Sequence, residues 1–96
     1  MDRAAFDATC QLLTGAGVEI EEARYDEQVF GSWFVSVRIK PGLRMVWEGR
    51  DHWLFVQRRG SRLFRGEPVW EDLWVATMAA EQTLADAVAR LTEFII

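Results

Sequence analysis

The chain of 96 residues has one cysteine, one histidine and no long apolar run. Cys10 alone closes no internal disulfide, which fits a reducing compartment, and a cytoplasmic location is expected. One Cys and one His fall short of the roughly four ligands that a zinc site takes, so no metal is expected. No apolar run nears the roughly 18 residues of a membrane helix, so no membrane partner is expected. The opening "MDRAAFDATC" carries an acid and no apolar stretch, unlike a secretory signal. "GAG" at Gly15–Gly17 leads into a strand pattern and does not open a helix, so no phosphate cradle and no cofactor are expected.

Catalytic constellations are lacking too. His52 has no orienting acid and no nucleophile at a telling spacing. The neighbouring carboxylates Glu21–Glu22, Asp26–Glu27 and Glu71–Asp72 would point to opposite faces of a strand, which makes poor acid/base pairs. Cys10 lies on an apolar helix stripe and reads as a small core residue. The chain therefore reads as non-catalytic.

What is present suits one globular domain: half of the residues are apolar and 27% are charged. The net charge of −4 is unevenly spread. Residues 1–30 hold seven acids and two bases, residues 31–66 two acids and eight bases, and residues 67–96 six acids and one base. Either acidic surfaces pair with basic strands inside the fold, or a basic face meets an acidic partner or a phosphate backbone.

Apolar spacing at Phe6, Cys10 and Leu13 predicts a first helix over 2–13, with Asp2 as its N-cap and "GAG" as its stop. Strand patterns follow. "VEIEEARY", residues 18–25, alternates and then loses phase at Glu21–Glu22, which predicts a bulge or an edge strand. "SWFVSVRIK" puts Trp33, Val35, Val37 and Ile39 on one face and Phe34, Ser36, Arg38 and Lys40 on the other. A three-residue loop, Pro41–Leu43, then keeps the apolar sides together by pairing Ile39 with Met45. "MVWEGRDHWLFV", residues 45–56, reads as a hairpin with a Gly49–Arg50 turn, setting Trp47 across from His52, a half-buried strand histidine on the face that the helices would cover. "RRGSR" at Arg58–Arg62 reads as a turn. "EPVWEDLW" is extended or a short helical turn. Thr83–Asp86 resembles a capping box for a helix with Leu84, Val88, Leu91 and Ile95 on one stripe, or the helix starts nearer Thr77.

The predicted class is α+β, a two-layer fold: an antiparallel sheet of four to five strands with N- and C-terminal helices packed on one face. The helices would cover Trp33, Val35, Val37, Ile39, Met45 and Leu54. That leaves Phe34, Val46, Trp53 and Phe55 on the opposite face, with Arg38, Arg44, Gln57 and Arg59 around them. Three readings of this second face stand. With Arg58 and Arg62 it is a platform for stacked bases, although the acidic chain disfavours nucleic acid. It is an aromatic interface core with an arginine rim. Or the "EPVWEDLW" segment folds over it. The acids Glu19, Glu21, Asp26 and Glu27 would form a second patch that imitates a phosphate backbone.

The order of a short helix, "FGSWFVSVRI", a Pro-Gly turn, "LRMVWEGRDHWLFVQ", a Trp-containing loop and a final helix resembles small bacterial immunity proteins of polymorphic or contact-delivered toxin systems. The hairpin carries most of the likeness, which spans Phe30 to Val56. The resemblance implies a cytosolic protein that binds and occludes one toxin domain. It transfers no inhibitory residues. Those come from the sheet face: Phe34, Arg44, Trp53, Phe55 and Arg59, with Glu19, Glu21, Asp26 and Glu27 as the second contact. A homodimer packed through the outer faces and a binder of nucleic acid or another anion are the alternatives.

Overall fold

The computed structural model describes residues 3–40, 42–77 and 81–95. Their order is α1 (Arg3–Gly15), β1 (Ile20–Asp26), β2 (Ser32–Val37), β3 (Leu43–Glu48), β4 (Trp53–Phe64), β5 (Glu67–Thr77) and α2 (Glu81–Glu93). The strands form one antiparallel meander in sequence order, and both helices pack on one face of it, so the fold is two-layer α+β.

The core forms where the periodicities meet. Phe6 and Leu13 of α1 and Leu84, Ala87, Val88 and Leu91 of α2 are buried against Trp33, Val35, Val37, Met45, Trp47, Leu54 and Val56 of the sheet. Cys10 and Ile95 pack at its margin, half-buried. Thr9 is fully buried on the same helix face, and its hydroxyl donates to the Ala5 carbonyl at 2.9 Å, so that hydroxyl is not left orphaned. The first helix stops as its glycines predict: Gly17 takes a left-handed φ of 79°, and the Val18 N–H turns back to the Leu13 carbonyl at 2.9 Å. The expected cap at Asp2 lies outside the described residues. The second helix starts at Glu81, so Thr83 sits within it and is not its cap.

Two predicted loops are longer than the sequence spacing suggests. Val35, not Ile39, pairs with Met45; β2 ends at Val37, and Ile39 is 69% exposed in the connection. Leu43, assigned to that loop by the spacing, is the buried first residue of β3. In the next hairpin Trp47 pairs with Leu54, so the connection runs from Gly49 to His52. Glu48 explains the wider turn: its carboxylate accepts the N–H groups of Arg50 at 3.0 Å and Asp51 at 2.8 Å. His52 is thus an exposed turn residue at φ 60°, its ring stacked 5.6 Å from that of Trp47, and not a half-buried strand residue. Both register changes are even-numbered. An even slip keeps each paired side chain on its face, so the predicted core survives with Ile39 and His52 removed.

Two bulges decide which residues face outward. In β1, Ile20 pairs with Val37 and Glu22 with Ser36, leaving Glu21 extra. The phase flips there, so Ile20 and Tyr25 both reach the core layer from an edge strand, as the broken alternation implied. In β5, Val56 pairs with Trp74 and Gln57 with Asp72, which leaves Leu73 extra. Residues four apart in a regular strand share a face. The bulge separates them: Trp74 packs on the core, and Trp70 lies on the outside of the sheet.

The "RRGSR" stretch is no turn. It lies inside β4, which continues past the end of β3 and pairs with β5 as far as Phe64 and Glu67. The chain reverses at Arg65–Gly66, both at positive φ (54° and 81°), as a two-residue hairpin turn requires. The "EPVWEDLW" segment is therefore strand β5 at the sheet edge and does not fold over the outer face as a lid.

Candidate functional site: the outer face of the sheet

The register lays out the outer face as rows that cross the strands. One row runs Arg24, Phe34, Val46, Phe55 and Val75, from β1 to β5. From Phe34 to Val75 it crosses three interstrand gaps, about 14 Å. Trp53 stands beside it with its ring stacked 6.3 Å from that of Phe55. Trp53 and Val75 remain 39% and 42% exposed, and no element among the described residues packs over them. A depression of about 400 Å³ opens beside this row, lined by Val29, Phe34, Val46, Arg24 and Glu48 among others.

The parallel row is polar: Glu22, Ser36, Arg44, Gln57 and Asp72. Its bonds run across the strands. The Arg44 Nε–H donates to Gln57 Oε1 at 2.9 Å, and the Gln57 amide donates to Asp72 Oδ1 at 2.9 Å. The Arg44 guanidinium lies 3.5 Å from the centre of the Trp70 ring, and Arg59 approaches the same ring at 5.5 Å. Burial and the neighbouring Arg59 charge both push the Arg44 pKa below its ordinary value.

Of the residues predicted to bind, the structure gathers Phe34, Arg44, Trp53, Phe55 and Arg59 on this one face. Arg38 is not part of it; it sits in the β2–β3 connection, 3.2 Å from Glu19. Arg58 points the other way from Gln57 and pairs with Glu71 at 2.7 Å. These two pairs join the basic middle of the chain to its acidic ends. Both are largely exposed, so each contributes at most about 1 kcal/mol.

The acidic residues do not form one patch. Glu19 is paired with Arg38, and Glu21 is the exposed bulge residue. Asp26 is half-buried at the end of β1 and accepts the N–H of Gln28 at 3.1 Å, while Glu27 is exposed in the turn that follows. They share the β1 edge and its turn, not a single surface.

Sequence reasoning missed Arg24, Trp70 and Val75. Arg24 reaches this face only because of the β1 bulge. The other two needed β5 to be recognised as a strand and its bulge to be placed. The broken alternation of "VWEDLWV" was the available signal.

Elsewhere, a groove of about 530 Å³ lies between the end of α1, the β2–β3 connection and the end of α2, with Val18, Ile39 and Ile95 in its walls. Burial, then the nearby Asp7 charge, raises the Cys10 thiol above its ordinary pKa, which suits an unreactive thiol. Among the described residues no group of three or more His, Cys, Asp or Glu gathers to hold a metal ion, and no helix is long and apolar enough to cross a membrane. Comparisons with protein-family models, with curated proteins and with solved structures find no match to this chain.

Proposed function

We propose that this protein is a non-catalytic binding module of the cytoplasm that docks a protein partner on the outer face of its sheet. The observation that supports this most is the row Phe34, Val46, Phe55 and Val75 beside Trp53, which no element among the described residues covers. An aromatic centre with an arginine rim is the composition of binding hot spots. The partner that fits the resemblance in the hairpin is a bacterial toxin domain, with the module acting as its immunity protein by steric occlusion. The rigid sheet would present its anchors with little ordering cost on association.

Trp53→Ala is the informative variant. It is expected to weaken partner binding by about 2 kcal/mol, roughly 30-fold. The thermal midpoint should move by only a few degrees, because Trp53 lies outside the core. Binding is read by calorimetry and stability by thermal melting of the same samples. A large loss of stability with affinity unchanged would place Trp53 in the architecture and remove it from the interface.

A further inference from the structure

Two of the arginines on the outer face, Arg44 and Arg59, form a pair that no carboxylate neutralises among the described residues. Arg44 and Arg59 come from neighbouring strands and converge on one indole, with ring-centre distances of 3.5 and 5.5 Å. The described ion pairs are Arg3–Asp7, Arg38–Glu19, Arg58–Glu71 and Arg90–Glu93, so neither arginine has a carboxylate of its own. Asp72, on the same row as Arg44, is held by the Gln57 amide, which stands between the two. Arg44 is half-buried and spends its Nε–H on Gln57; among the described residues its terminal nitrogens meet no acceptor. Two like charges brought together beside a half-desolvated indole disfavour the free protein, and an arriving anion relieves that repulsion. The planar fork of a guanidinium matches a carboxylate with two parallel hydrogen bonds.

The surroundings select the kind of anion. Glu22, Glu48 and Asp72 ring the same face, and the whole chain carries −4, so a polyanion would be repelled while a single carboxylate is accepted. Arg44 already covers a face of the Trp70 ring, which removes that face as a platform for a base. Val46 and Phe55 pair on the row next to Arg44 and Gln57, so an apolar side chain and a carboxylate of one ligand would find their sites side by side.

We infer that the Arg44–Trp70–Arg59 cluster receives an Asp or Glu side chain of an acidic polypeptide segment whose neighbouring apolar residue seats on Val46 and Phe55. This rests on the docking reading above and adds the chemistry of the partner.

The test uses the full chain and a defined probe, the capped peptide acetyl-Leu-Glu-Leu-Glu-Leu-amide, with the Gln-for-Glu peptide as its control. The Nε–H signals of Arg44 and Arg59 and the indole N–H of Trp70 are followed by NMR at fixed ionic strength. The three signals are expected to shift together and saturate, with the Gln peptide at least fivefold weaker. Arg59→Gln, at an exposed position, should bring the Glu peptide down to the level of the control. Equal binding of the two peptides, or no saturable shift, overturns the inference. So does a single-stranded oligothymidine that moves the same signals at lower concentration. The two readings fail separately. A discriminating Glu peptide beside a Trp53→Ala variant that keeps its partner leaves the carboxylate site standing and rejects the apolar docking face.

Discussion

Trp47→Ala is expected to destabilise the fold by about 3–5 kcal/mol, the range for removing a fully buried aromatic from a core. Trp47 is 1% exposed, at the centre of the sheet, directly across from Trp33 on β2 and Leu54 on β4. A domain of this size holds roughly 5–15 kcal/mol in all, so the variant should be near the limit of folding. Its thermal midpoint should fall by roughly 15 °C or more. Trp47→Phe separates packing from polarity. The Trp47 indole N–H is buried with no hydrogen-bond partner among the described residues, so phenylalanine forfeits no bond seen there and removes an unpaired donor. A loss near 1 kcal/mol is expected for that swap. Denaturant titration of both variants at an unchanged slope measures the difference. A Trp47→Ala loss below 1 kcal/mol would mean that this side chain is not in the core.

Gly49→Ala should cost about 3 kcal/mol for a different reason. A methyl group at Gly49 would collide with the carbonyl oxygen of Phe30, and it would sit 3.2 Å from the Ser32 nitrogen. These are backbone atoms of the β1–β2 turn and of the first residue of β2, and they cannot swing aside as a side chain can. The Gly49 N–H is also tied to Ser32 Oγ at 2.9 Å, which fixes the approach of the two turns. The requirement is thus space and not a left-handed φ. Overpacking against a fixed neighbour costs roughly 1–3 kcal/mol or somewhat more. Gly15 at the end of α1 is the control: it has open space around it, and alanine there should be neutral or slightly stabilising. Equal effects at the two positions would show that Phe30 and Gly49 are not in contact.

The sheet and its faces are legible in the sequence because period-two alternation marks Trp33 to Val37 and Met45 to Val56 strongly. Both buried sides were correct there even though both loop lengths were not. Register errors of two and four residues are silent in such a pattern. What alternation does not register is where a strand stops, so it carries Ile39 and His52 into a core that they do not enter. Glu48 capping its own turn is a side-chain event with no periodic trace. The edge strand β5 was illegible for another reason. Its bulge at Leu73 breaks the phase, and Trp70 and Trp74, which spacing puts on one face, end on opposite sides of the sheet. The five sheet-face residues do converge: Phe34, Arg44, Trp53 and Phe55 follow from the two clear strands and the first half of β4, and Arg59 joins them because β4 runs on through the stretch that reads as a turn. The acidic set does not, because nearness in sequence along an edge is not nearness on one surface.

Binding of a protein by the outer sheet face can be tested in the cell that makes the chain. The most direct measurement is capture from the native cell extract after nuclease treatment, with the wild-type chain and Trp53→Ala as parallel baits. One protein with a toxic domain, held in stoichiometric amount by the wild type and lost with Trp53→Ala, is the predicted result. Recovery of the bait alone, or the same partner on both baits, would contradict it.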